Sequence, residues 1–181
     1  MINLDESFAR HIGLLSGQSL AECYQCVKCS AGCPVASAMD ILPHQIIRMV
    51  QYGIKETVLS SQTIWICASC YTCSVRCPNG IDIAHIMDVL RQISLAEGFP
   101  PGEKNVPEFH SAFLSSVKKT GRVYELGMLA RYKFRTGTFM QDMKLGAKMF
   151  LKGKIKLLPH KIRRLGEVRR MFQAASNRES K

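Results

Sequence analysis

A chain of 181 residues with 46% hydrophobic residues has room for one packed domain and an appendage, and its formal net charge of +11 makes it basic. No stretch approaches the roughly 18 to 20 uninterrupted apolar residues that span a bilayer, and Asp5, Glu6, Arg10 and His11 stand where a secretory signal would be apolar. Membrane-spanning and secreted classes are therefore set aside, and a cytoplasmic location is expected. The charge is divided: residues 1–110 hold seven Lys or Arg against ten Asp or Glu, whereas residues 111–181 hold eighteen against four, giving an acidic head and a basic tail.

In chain order, Leu4, Phe8, His11, Ile12 and Leu15 recur at helical intervals, with Asp5 and Glu6 in the first turn, and predict a helix over Asn3–Leu15. Cys23, Cys26, Cys29 and Cys33 follow, with Pro34 directly behind them. Ile41, Ile46, Ile47, Met49 and Val50 predict a helix within Met39–Gly53, with Gly53 as its C-cap. Ile64, Trp65 and Ile66 lead into Cys67, Cys70, Cys73 and Cys77, again closed by a proline, Pro78. A helix then runs from Ile81 through Ile83, Ile86, Met87, Val89, Leu90 and Ile93 to Gly98.

Phe99-Pro100-Pro101-Gly102 and Pro107 mark 99–107 as a linker or turn between a head, 1–98, and a basic helical extension, 108–181. In the extension, apolar periodicity predicts helices over Glu108–Lys119, Arg122–Phe134 and Thr138–Leu151, a last helix through Ile162, Leu165, Val168, Met171 and Phe172 after Pro159, and a frayed polar end, Ser176–Lys181. The fold class expected is all-α.

The eight cysteines fall in two identical C-x2-C-x2-C-x3-C-P runs, and there is no other cysteine in the chain. This is the spacing by which thiolates hold [4Fe-4S] cubanes in bacterial two-cluster ferredoxins, where the fourth cysteine ligates the other cluster. Three cysteines at intervals of three sit on a tight loop and converge on three corners of a cube. Pro34 and Pro78 push Cys33 and Cys77 out of helical geometry and away from their own loops. The expected ligand sets are therefore crossed: Cys23, Cys26, Cys29 and Cys77 for one cluster, Cys67, Cys70, Cys73 and Cys33 for the other. Structural zinc needs four ligands in two separated pairs and fits poorly, and a disulfide framework is not needed by a chain of this size.

The runs and their prolines repeat at an offset of 44 residues, whereas Met39-Asp40-Ile41 and Ile81-Asp82-Ile83 match at 42. The interval leaves room for helices between the motifs, where a minimal bacterial ferredoxin has short strands. Ile64, Trp65 and Ile66 either shield a cluster or belong to the core. Lys28 and Arg76, inside the runs, either favour a reduced cluster or are solvated loop charges. His44 and His85 are read as packing or surface residues, since eight thiolates already satisfy two cubanes. No Gly-x-Gly-x-x-Gly marks a flavin or nicotinamide site, no adjacent cysteine pair is present, and no catalytic residue is assigned. Ten Lys and Arg between Lys144 and Arg170, interleaved with Met149, Phe150, Leu151, Leu157, Leu158, Ile162 and Leu165, read as an amphipathic arm that docks on an acidic partner.

These features resemble the C-subunit family of heterodisulfide reductase. Ala21–Ile93 is similar to the α-helical ferredoxin domain that the family shares with iron-sulfur subunits of succinate dehydrogenase and glycolate oxidase. Lys156–Ile162 and Gly166–Phe172 are similar to the tail of these C-subunit proteins. The resemblance implies two [4Fe-4S] clusters held by the eight cysteines, and an electron relay from a flavin-containing A-type partner to a disulfide-reducing B-type partner. The chain would thus be an oxidoreductase component without a substrate-converting site of its own. The alternative is the iron-sulfur subunit of a quinone-linked oxidoreductase, its tail lying on the membrane surface. Nucleic-acid binding by the tail lacks a reader motif and is not expected.

Overall fold

A computed structural model describes residues 5–138, 148–149, 151–152 and 159–179, and among them regular structure is helical throughout, without a strand. The chain divides into two compact units, Met1–Lys104 and Asn105–Lys181.

The first unit contains α1 (Glu6–Ser16), α2 (Lys28–Ala31), α3 (Pro43–Gln51), α4 (Lys55–Leu59), α5 (Thr63–Ile66), α6 (Thr72–Arg76) and α7 (Ile83–Ala96). Asp5 caps α1 by accepting from the Ser7 amide at 2.9 Å, and Gly17 closes it in the left-handed region, φ +63°. The expected helix over Met39–Gly53 starts late, at Pro43, because the residue before a proline avoids helical geometry and Pro43 suits a first turn. Likewise α7 opens at Ile83, where Asp82 accepts from the His85 amide at 3.1 Å.

Phe8 and Ile12 of α1, Ile46, Ile47 and Val50 of α3, Val58 and Leu59 of α4, Ile64 of α5, and Ile86, Met87 and Leu90 of α7 are all buried. Helices α1, α4, α5 and α6 pack against α7, which makes it the axis of the unit. Each such aliphatic side chain withdrawn from water contributes about 1.5–3 kcal/mol, so the unit has an apolar core of its own beside the cysteine runs. Trp65 belongs to that core at 3% exposure.

The second unit contains α8 (Asn105–Thr120), α9 (Glu125–Thr136) and α10 (Leu165–Glu179). Helix α8 begins at Asn105, inside the stretch that its prolines mark as a linker, because Pro107 falls in the first turn, where no amide partner is required. Helices α8 and α9 pack as a pair, with Arg135 Nη1 2.9 Å from Glu108 Oε2 and Phe109 edge-on to Tyr132 at 5.8 Å between ring centres. Helix α10 packs on α8, and the Ile162 amide donates to the Thr120 carbonyl at 3.1 Å. Where polar composition predicts a frayed end from Ser176, α10 continues to Glu179; the good helix formers Gln173, Ala174 and Ala175 carry it on. Most of the helix expected over Thr138–Leu151 lies outside the described residues.

Candidate metal centres

Each cysteine run ends its triplet on a short helix. Cys29 lies on α2 and Cys73 on α6, and both helices are entered through a residue in the left-handed region, Val27 at φ +66° and Tyr71 at φ +60°. Gln25 and Ser69 also have positive φ, at +56° and +48°. These four are the only non-glycine residues with positive φ among those described, and they pair off at the same 44-residue offset as the cysteines. A left-handed residue costs a side-chain-bearing position about 1–2 kcal/mol and is a true outlier for β-branched Val27. In general, a left-handed residue beside a right-handed one turns successive amides to one side, a concavity suited to negative charge.

The two runs interlock. One cavity is lined by Cys23, Cys26, Cys29 and Cys77 together with Gln25, His44, Ile47, Pro78 and Ile81. The other is lined by Cys33, Cys67, Cys70 and Cys73 with Val35, Met39, Pro43, Ala84 and Met87. Ile83, 4% exposed, lines both. Hydrogen bonds sew the crossing: Asn79, two residues past Cys77, donates from its side chain to the carbonyl of Glu22, beside Cys23, and the Asp82 amide donates to Gln18 Oε1 at 2.8 Å.

Asp40 ties the first run to α5, just before the second. Its carboxylate accepts from the amides of Ile41 at 2.9 Å, Gln62 at 2.9 Å and Thr63 at 3.0 Å, and from the Thr63 hydroxyl at 2.7 Å. Burial would raise its pKa, but the hydrogen bonds from Gln62, Thr63 and Ile41 outweigh burial and hold it below the ordinary carboxylate value.

Several polar groups touch the sulfurs. Gln25 Nε2 donates to Cys23 Sγ at 3.3 Å, Ser30 Oγ lies 3.9 Å from Cys29 Sγ, and Thr72 Oγ1 lies 3.4 Å from Cys70 Sγ. As free thiols, Cys29, Cys67 and Cys73 are pushed up by burial, whereas the hydrogen bonds of Thr72 pull Cys70 down. Metal ligation requires thiolates, so assembly of a site here releases protons. Cys26 and Cys70 are exposed and Cys29 is buried.

His44 lines the first cavity, and its Nδ1 is 2.8 Å from Ser30 Oγ, while His85 lines neither cavity. Lys28 is exposed at the first cavity. Arg76 is exposed and lies across Gly32, its own counterpart at the 44-residue offset; a Cβ on Gly32 would meet Arg76 Cδ at 2.6 Å. Ile64, Trp65 and Ile66 line neither cysteine cavity, so the shielding offered as one reading of that triplet is not what the structure shows. Arg91 of α7, a residue that no sequence motif singles out, donates to the Cys67 carbonyl and to Ser69 Oγ. Its only legible trace is the Asp88–Arg91 spacing of a helical ion pair.

Among the described residues no three His, Cys, Asp or Glu converge closely enough for a single ion. Instead, four thiols surround each of two largely apolar cavities, the arrangement that an iron-sulfur cube requires. Residues 19–81 match the 4Fe-4S dicluster domain family. The chain carries a 4Fe-4S dicluster domain. That domain implies two [4Fe-4S] clusters, as the cysteine spacing does.

Two curated relatives bear the name of the C subunit of H(2):CoB-CoM heterodisulfide,ferredoxin reductase. The protein of Methanothermobacter thermautotrophicus is 33% identical over 119 residues, and that of Methanothermobacter marburgensis 34% identical over 119 residues. The match takes in 66% of this chain and spans 61% of the length of each relative. The dicluster domain thus sits in a chain similar to the family that its sequence resembles.

Proposed function

We propose that this chain is the electron-relay subunit of a heterodisulfide reductase-type complex, passing electrons through two [4Fe-4S] clusters from a flavin-containing partner to the partner that reduces the disulfide. The observation that supports this best is the pair of four-thiol cavities with Ile83 as a common wall, each with one exposed thiol, Cys26 or Cys70. In this reading Cys23, Cys26, Cys29 and Cys77 hold one cluster and Cys67, Cys70, Cys73 and Cys33 the other.

A bound [4Fe-4S] cluster accepts and releases single electrons, at potentials from about −700 to +450 mV according to its surroundings. The protein holds the thiolates, turns amides toward them, and keeps water out with Ile47, Ile81, Ile83, Ala84 and Met87. Cys26 and Cys70 mark the two corners at which a partner approaches. The chain itself converts no substrate. Lys161, Arg163, Arg164, Arg169 and Arg170 are exposed on and before α10 and serve as the docking charge toward acidic partner proteins. Lys144, Lys154 and Lys156 of the same arm lie outside the described residues. Among the described residues no helix is long and apolar enough to cross a membrane, and a cytoplasmic complex is proposed.

Anaerobic purification of the native complex tests the reading. Copurification with a flavoprotein and a cysteine-rich protein, with disulfide reduction by the complex but not by the cluster-loaded chain alone, is the expected result. Copurification with an integral-membrane quinone-reducing protein instead would move the chain to the quinone-linked alternative.

A further inference from the structure

We propose that the second unit carries an oxyanion site for a phosphoryl group, set between α8 and α9 and centred on Arg131 and Lys119. A cavity of about 170 Å³ opens there, roughly ten times what a single water needs. Its wall holds two cations and the hydroxyls of Ser115, Ser116 and Thr120, and no Asp or Glu.

Arg131 is the informative residue. Its Nε is buried and has no hydrogen-bond partner. A guanidinium proton taken from water without an acceptor is costly, although the rest of the half-buried residue reaches solvent. One turn further along α9, Arg135 shows the ordinary solution, paired with Glu108 at 2.9 Å. Among the described residues neither Arg131 nor Lys119 has such a carboxylate.

The neutral groups add donors. Ser116 Oγ accepts from the Tyr124 amide at 2.8 Å, which leaves its own proton free to point into the cavity. The Thr120 hydroxyl is used internally, lying 2.8 Å from the Ser116 carbonyl and 2.6 Å from that of Arg122. Gly127 leaves room for the Tyr124 ring as a side wall, since a Cβ there would meet the ring at 2.6 Å. Two cations and the Ser115 and Ser116 hydroxyls line one space whose wall holds no carboxylate. A group with several terminal oxygens and up to two negative charges satisfies them all, whereas a carboxylate has two oxygens in one plane. Free phosphate and the phosphate of a larger ligand share this chemistry.

The test uses the full-length, cluster-loaded chain under anaerobic conditions at constant ionic strength. Inorganic phosphate is titrated while thermal stability and amide exchange in α8 and α9 are followed. A saturable rise in melting temperature with slowed exchange in both helices is expected, by linkage. Arg131→Met should weaken phosphate at least tenfold yet melt higher than the parent when no phosphate is present, because a buried donor without a partner has gone. Lys119→Gln, at an exposed position that leaves the fold intact, should weaken phosphate several-fold. Tighter binding of adenosine monophosphate than of phosphate would support the site and place the group on a larger ligand. No saturable response, variants that respond like the parent, or acetate acting as well as phosphate would each overturn the proposal.

Discussion

Arg91 holds the loop of Cys67 from behind: Nη1 donates to the Cys67 carbonyl at 3.2 Å, Nη2 donates to Ser69 Oγ at 2.8 Å, and the same guanidinium pairs with Asp88. At the 42-residue offset of the following helices its counterpart is the uncharged Met49, so this cation has no equivalent at the same position of the first repeat. Asp88 offsets part of that charge, and Arg91→Met both removes the cation and frees the carboxylate. The cluster assigned to Cys67, Cys70, Cys73 and Cys33 should then fall in potential by some tens of mV, where about 59 mV is a tenfold change in a one-electron equilibrium. The other cluster should keep its potential. Paramagnetic resonance during a redox titration resolves the two, and equal shifts in both would show that Arg91 acts only on overall packing.

Crossed ligation makes its own claim. Cys77→Ala should damage the cluster of Cys23, Cys26 and Cys29, and Cys33→Ala the cluster of Cys67, Cys70 and Cys73. Spectra of the two variants decide it; if each disturbed only the cluster of its own run, the crossing would be wrong.

Positive φ has opposite consequences at two places. Gly53, at φ +71°, presents its Cα to the backbone of Asp5, and an added Cβ would lie 2.7 Å from the Asp5 carbonyl carbon. Gly53→Ala should therefore cost more than about 2 kcal/mol, since backbone cannot swing aside and the φ is itself strained. Val27, at φ +66° and 42% exposed, has little packing to lose. Val27→Gly should leave stability within about 0.5 kcal/mol of the parent, because relief of strain and the added freedom of the unfolded chain oppose each other. Denaturation of the cluster-loaded chains in parallel compares the two.

The residues of the centres differ in how openly the sequence shows them. Cysteine spacing speaks through covalent order alone, and the apolar faces of α1, α3 and α7 speak through a helical period, so all of these are legible. Helices α4 and α5 are five and four residues long, too short for a period to declare itself, and packing against α7 holds them instead. Gln25, Val27, Ser69 and Tyr71 are not residues that favour the left-handed region, so the turns they make are imposed by the surrounding loop and leave no compositional mark. Asp40 falls in a stretch whose period predicts a helix, yet its side chain bonds across 22 and 23 residues to Gln62 and Thr63, a relation no local pattern contains. Arg131 is one cation among many in a basic tail until the fold buries its Nε.

Asp40 supplies the pH dependence. Its folded pKa lies below the ordinary value, so its contribution is fully present above the unfolded pKa of about 3.9 and is lost as pH falls through the folded value. Asp40→Asn keeps one acceptor oxygen but turns amide protons toward the Gln62 and Thr63 amides, at a cost of about 1 kcal/mol for a partly exposed network. At neutral pH the variant should melt below the parent, with faster exchange at the Gln62 and Thr63 amides. As pH falls below about 4 the gap should close, because the parent's carboxylate becomes protonated and loses the same acceptors. Melting curves of both chains across that range measure it, and a gap that stayed constant with pH would show that the charge on Asp40 is not what holds α5 to the first cysteine run.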